Sequence, residues 1–190
     1  MNEERCLIVT RFDRTENYKK LRMEDFAQIL SKKSDQKYSS SYEECAGVIK
    51  KHSSRPALDL QEFYKRMIAN IIIGNCDAHL KNFSLLETKD GLRLSPTYDV
   101  LNSIMYKNLG TELALELNGK KYVYDDVDQE LLVQFGHNIG LTSNDIHLIF
   151  SEVAKKVKIA NKLLQSPVPD EFRERFKEIV EGTCHRLLKK

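Results

Sequence analysis

The chain has 190 residues, 41% hydrophobic and 31% charged, enough for one substantial core or one large lobe and too apolar for a disordered protein. Thirty basic against 28 acidic residues leave a formal charge of +2, so the overall balance calls for neither a nucleic acid nor an anionic membrane. No apolar run approaches the roughly 20 residues of a bilayer span, and "MNEERC" lacks the basic flank and apolar stretch of a secretion signal, which predicts a cytoplasmic protein with no membrane partner. Cys6, Cys45, Cys76 and Cys184 form no C-x-x-C pair and read as free thiols.

In chain order, "CLIVTRF" opens with a β-branched apolar run, Cys6 to Val9, that predicts a buried strand. In "MEDFAQIL", Met23, Phe26, Ala27 and Leu30 recur at helical spacing behind the acids Glu24 and Asp25. "KKSDQKYSSS" reads as a loop, and Tyr42 to His52 as a helix broken by "SSRP". Asp59 is the expected cap of "LQEFYKRMIANIIIG", apolar nearly all round towards its end, which should be the most buried helix and should stop at Gly74. "FSLLE" and "LRLSP" flank "TKDG" and predict a hairpin that returns Asp99 towards Asp77. A weaker hairpin, or an irregular excursion, surrounds Asn118-Gly119. Helical patterns then cover Gln129 to His137, Asn144 to Gln165 and Asp170 to Leu188. The expected fold is mainly α with one or two small β-hairpins.

The chemistry concentrates in "GNCDAHLKNFSLL", Gly74 to Leu86. A loop following a buried helix is rigid on its core side and wet on the other, which suits catalysis. The carboxylate of Asp77 can accept the proton of an attacking hydroxyl, and the amide oxygen of Asn82 is a hard ligand for Mg²⁺. Asp99, in "LSPTYDVL", can add a carboxylate to that site; Lys81 offers a charge to phosphate oxygens, and His79 a donor to phosphate or to Asp99. An Asp, four intervening residues, an Asn, a hairpin and a second Asp is the order used in phosphoryl transfer by protein kinases, although neither H-R-D-L nor D-F-G is present here. Phe12, Phe83 and Tyr98 read as packing that positions the neighbouring acids. A transition-metal hydrolase built on Asp77, His79 and Asp99 lacks support, because His52, His137, His147 and His185 lie far along the chain without an H-x-x-x-H pair.

"GNCDAHLKNFSLL", followed by "LSPTYDVL" and preceded by "VTRFDR", resembles the HipA family of serine/threonine kinases, the toxins of bacterial toxin and antitoxin pairs. The resemblance extends from about Cys6 through the last helices and implies the helical C-terminal lobe of a protein-kinase-like fold. It divides the chain into a hinge strand and linker (1–14), a catalytic part (15–127) and C-terminal helices (128–190). It implies ATP and Mg²⁺ as cofactors, Asp77 as catalytic base, Asn82 and Asp99 as metal ligands, and His79 and Lys81 at the nucleotide phosphates. Thr10, Arg11 and Phe12 would form the adenine hinge, and Asp13 would approach the ribose. As partners it implies a protein substrate, such as an aminoacyl-tRNA synthetase or another translation factor, and a DNA-binding antitoxin.

The eight glycines include no G-x-G-x-x-G, and the phosphate-covering loop and lysine that such kinases carry before the hinge are not found. This predicts a missing N-terminal lobe, supplied by a separate polypeptide or lost by truncation, and leaves the activity of the chain alone in question. The competing expectation is a catalytically silent scaffold that binds an antitoxin or regulatory partner. Adding the missing lobe as a polypeptide distinguishes the two, because a scaffold gains nothing from it.

Overall fold

The computed structural model describes residues 8–106, 108–160 and 169–188. Cys6 and Leu7 of the expected opening strand, and residues 161–165 of an expected helix, lie outside this set. The elements are β1 (Met23–Asp25), α1 (Phe26–Ile29), α2 (Tyr42–His52), α3 (Pro56–Ile72), β2 (Ser84–Thr88), β3 (Gly91–Leu94), α4 (Gln129–Asn138), α5 (Ser143–Ala160) and α6 (Asp170–Leu187). The fold is mainly α, with a three-stranded antiparallel sheet in the order β1-β2-β3. No helix among the described residues is long and apolar enough to cross a membrane.

Helix α2 has the bounds that its sequence predicts. Ser41 Oγ accepts the Glu44 N–H, Glu43 and Glu44 occupy the first turn, and Lys50, Lys51 and His52 the last, so cap and charges both match the helix dipole. Helix α3 is the central element and packs against α2, α5 and α6. Its Phe63 stands edge-on to Phe83 of the following loop, with ring centroids 5.1 Å apart, while Tyr64 stacks on Phe135 and donates to the Leu132 carbonyl at 2.8 Å. This aromatic layer, joined by Phe26 and Tyr42, holds the middle of α3 and packs it against Phe83, which follows the loop.

Three sequence expectations are corrected. Met23 to Asp25 form a strand instead of helix: Met23 pairs with Leu86, and a contact across more than 60 residues overrides a local helical pattern. Asp25 becomes the N-cap of the short α1, in a reciprocal capping box with Gln28. Asp59 does not cap α3, which starts earlier with Pro56 in its first turn; its carboxylate is buried against Arg93, Ser53 and the Leu94 N–H. Finally, Ile8 and Val9 belong to no strand and are 87% and 65% exposed.

The first hairpin forms as expected, with Thr88 opposite Gly91 and Lys89 and Asp90 at its tip. At Asn118 and Gly119 the chain makes a two-residue turn with φ of 49° and 84°, but its arms meet only at isolated bridges, Leu117 to Lys120 and Glu112 to Val123. Among the described residues, Cys45 and Cys76 are buried free thiols and Cys184 is a half-buried one.

Candidate functional site

Helix α3 ends at Gly74, whose φ of +76° turns the chain into the loop that carries Asp77, His79, Lys81 and Asn82. The loop is held from beneath. Asn75 Oδ1 accepts the Asp77 N–H at 3.1 Å, and Asn75 Nδ2 donates to Asn70 Oδ1 of α3 at 3.0 Å. Buried Ser103 closes it from the far side: its Oγ accepts the Cys76 N–H at 2.8 Å, and its N–H donates to the Gly74 carbonyl at 3.0 Å. The segment after Asp99 is thereby fastened to the loop that carries Asp77. A Cβ at Gly74 would lie 2.6 Å from Ile104 Cγ1. Gly74→Ala, strained in backbone and crowded in space, is expected to lower stability by about 2 kcal/mol in a urea titration.

The hairpin brings Asp99 to Asn82. Asn82 Nδ2 donates to Asp99 Oδ2 at 2.8 Å, while Asn82 Oδ1 accepts the His79 N–H at 2.9 Å. Both partners are unambiguous, an acceptor-only carboxylate and a donor-only amide, so the orientation of the Asn82 amide is fixed. Asp99 has φ of +53°, a left-handed conformation that L residues rarely adopt, and its bond to Asn82 holds it there. The Tyr98 hydroxyl donates to the Lys81 carbonyl at 2.7 Å and also meets Ser84 Oγ, locking the return of the hairpin against the loop. Burial pushes the Tyr98 phenol up to about 12, which keeps it protonated. Together with Arg66, Asn70 and Asn75, the pair Asn82 and Asp99 lines a small recess.

Asp77 is half-buried, and its Oδ1 accepts the Tyr38 hydroxyl at 2.8 Å. The Lys81 side chain is exposed. His79 is buried, and its Nδ1 has no partner among the described residues. Burial, then the nearby Lys37, pull its pKa below the ordinary histidine value against the opposing pull of Asp77 and Asp99, so the ring is neutral at pH 7. At the other side, the Phe12 ring meets Tyr98 at 5.7 Å, which brings the 10–13 segment to the site, with Thr10 and Arg11 exposed. Asp13 is buried and spends its carboxylate on Arg11, at 2.6 Å, and Arg14, at 2.6 Å; the Arg11 guanidinium is the main cause that holds it near about 2.

The donor set suits a hard cation. Asp99 and Asn82 bring a carboxylate and an amide together through the amide nitrogen, and the amide oxygen, which accepts from His79, keeps a second lone pair for a metal. Sequence reasoning missed Tyr38, Ser103 and Arg66, all of which reach the site from 27 or more residues away or from mid-helix. Only Asn75, inside "GNCD" and next to the helix end, carried a local signal.

A mostly helical lobe, with a hairpin that returns Asp99 to Asn82 of the loop that carries Asp77, is the helical half of a kinase-like fold. The chain belongs to the HipA-like C-terminal domain family, whose model matches residues 1–160. It is similar to Y4mE of Sinorhizobium fredii, named as a kinase, at 31% identity over 71% of this chain and 34% of that protein. A protein of Haemophilus influenzae with a kinase name is 30% identical over 88% of this chain and 56% of its own length. The serine/threonine-protein kinase toxin HipA of Shewanella oneidensis is 27% identical over 70% of this chain and 32% of that protein. Among solved structures, the complex of Shewanella oneidensis HipA, HipB and operator DNA contains a chain that superposes with a TM-score of 0.78 at 21% identity, over 94% of this chain and 47% of that one. The chain thus spans about a third to just over half of the length of these relatives.

Proposed function

We propose that this chain is the catalytic lobe of a HipA-type kinase, which transfers the γ-phosphoryl group of ATP to a serine or threonine hydroxyl of a protein. The observation that carries this reading is the 2.8 Å bond from Asn82 Nδ2 to Asp99 Oδ2, which fastens the hairpin's carboxylate to the amide at the end of the loop that bears Asp77. Asp77 takes the proton of the attacking hydroxyl, and the hydroxyl oxygen bonds to the γ-phosphorus as the bond to the β,γ-bridging oxygen breaks and ADP leaves. Asp99 and Asn82 would hold Mg²⁺, which would supply positive charge to the phosphates of the nucleotide. Exposed Lys81 adds a positive charge to the phosphates, and neutral His79 stands behind the loop without adding another. Thr10 to Phe12 meet the adenine, and Asp13, neutralised by its arginines, shapes the ribose side.

The kinase names of the relatives support a phosphoryl-transfer reading, and the presence of HipB and operator DNA in the Shewanella complex supports a DNA-binding antitoxin as partner. The remaining length of the relatives supports a further nucleotide-covering lobe acting with this one, in the same or a separate polypeptide. Calorimetric titration of the 190-residue chain with ATP, with and without Mg²⁺, tests the site. Asp99→Asn is expected to weaken Mg²⁺-dependent nucleotide binding at least about tenfold, since loss of even an outer partner of a metal has that effect. Equal Mg²⁺-dependent binding by both proteins would remove Asp99 as ligand. If neither binds, the test is repeated with a relative's N-terminal segment added, and a chain that still fails to bind is a scaffold.

A further inference from the structure

Tyr38 lies between α1 and α2, in a polar loop of serines and lysines, and the residue is 42% exposed. An aromatic in such a place contributes little to the core, yet its position is defined from four directions. Its hydroxyl donates to Asp77 Oδ1 at 2.8 Å. Its ring stands edge-on to the buried His79 ring, with centroids 5.2 Å apart, and the Lys37 ammonium lies over it at 4.8 Å. The Leu80 N–H, from the same loop as Asp77, donates to the carbonyl of Lys37 at 3.2 Å, fastening the backbone beside Tyr38 to that loop.

A half-exposed carboxylate with no partner rotates between orientations and presents either oxygen. A base for proton abstraction has to present one oxygen, within hydrogen-bond reach of one proton. We propose that Tyr38 is a positioning residue for phosphoryl transfer: its hydroxyl occupies Oδ1 of Asp77 and thereby leaves Oδ2 to face the attacking hydroxyl. The proposal rests on Asp77 as the base. Partial burial, then the neighbouring Asp77 carboxylate, raise the Tyr38 phenol above its ordinary value, so it remains a proton donor across the neutral range. The phenol only holds the carboxylate in place; the substrate proton goes to Oδ2.

Tyr38→Phe keeps the ring against His79 and Lys37 and removes only the hydroxyl. In Mg²⁺-ATP phosphoryl transfer it is expected to lower kcat about tenfold, the loss of one hydrogen bond to a charged group, with KM for ATP unchanged. A second readout does not depend on turnover. With ¹³C-labelled tyrosine, the Tyr38 Cζ signal, assigned by its disappearance in Tyr38→Phe, is expected to titrate at lower pH in Asp77→Asn than in the wild type. A kcat in Tyr38→Phe equal to or above the wild-type value, or a Tyr38 titration indifferent to Asp77→Asn, overturns the proposal. Where Asp77→Asn is inactive and Tyr38→Phe fully active, only the role of Tyr38 falls; where Asp77→Asn turns over at the wild-type rate, the base assignment falls and takes this inference with it.

Discussion

Asp77→Ala is expected to lower phosphoryl transfer by about 100- to 10,000-fold, the range that a positioned general base contributes, while nucleotide affinity stays as it is. The asymmetry follows from where the residue sits. Asp77 is bonded to Tyr38, whereas the pair Asn82 and Asp99, the metal ligands of the proposed mechanism, is held by its own contacts with His79 and the hairpin. Removing the carboxylate deletes an interaction made with the proton in flight and leaves the ground-state contacts to ATP in place. The loop itself should survive, because its supports are the backbone N–H of Asp77 to Asn75 and the bonds of Ser103 to Gly74 and Cys76. Single-turnover transfer of labelled phosphate, measured beside calorimetric ATP binding, checks both halves. A variant that loses transfer and binding together would point to collapse of the loop and away from loss of a base.

Arg93→Ala is expected to cost about 3 kcal/mol of folding stability in a urea titration. Asp59 is 3% exposed, and both of its carboxylate oxygens are engaged by Arg93, with the shortest contact at 2.7 Å. Truncating the arginine leaves a buried carboxylate without its counter-charge. The figure lies at the low end for a broken buried pair because Ser53 Oγ at 2.6 Å and the Leu94 N–H at 3.0 Å still serve Asp59, and because Arg93 itself touches water. The pair also gives stability a pH signature. Burial raises the pKa of Asp59, but the combined pull of Arg93, Ser53 and the Leu94 N–H outweighs it and sets the folded value below the ordinary one. A carboxylate depressed in the folded state contributes stability that is complete above its unfolded value, near about 4, and is lost as pH falls through the folded value. Urea midpoints of the wild type should therefore fall on acidification below about pH 4, and Arg93→Ala should flatten this part of the curve.

Local signals were legible wherever the local chain decides the structure. Helix α2 keeps the ends that Ser41 and its charged turns specify, and Gly74 ends α3 as a residue that tolerates positive φ. The hairpin and its return of Asp99 towards the Asp77 loop were likewise readable, since a two-residue tip fixes which residues face each other at the base. What the sequence concealed depends on partners far along the chain. Met23 is in a strand because Leu86 is beside it, and Asp59 is an ion-pair partner because Arg93 arrives from the hairpin. Tyr38, in a stretch read only as loop, meets Asp77 across 39 positions, and Ser103 reaches Cys76 across 27. No periodicity or cap foretells such contacts.

The hairpin between Asn82 and Asp99 has a consequence for how chains of this kind can vary. Its base is pinned by the Ser95 N–H donating to the Ser84 carbonyl at 2.9 Å and by the Tyr98 hydroxyl donating to the Lys81 carbonyl, while its tip at Lys89 and Asp90 lies at the far end of the strands. Residues added in matched pairs at the tip lengthen both strands equally and leave the two ends where they are. One residue added between Ser95 and Tyr98 would instead swing Asp99 off Asn82. The count of residues between Asn82 and Asp99 is thus a free variable and their separation in space a fixed one, so sequences of different hairpin length are to be aligned from the two ends inward, with gaps placed at the tip.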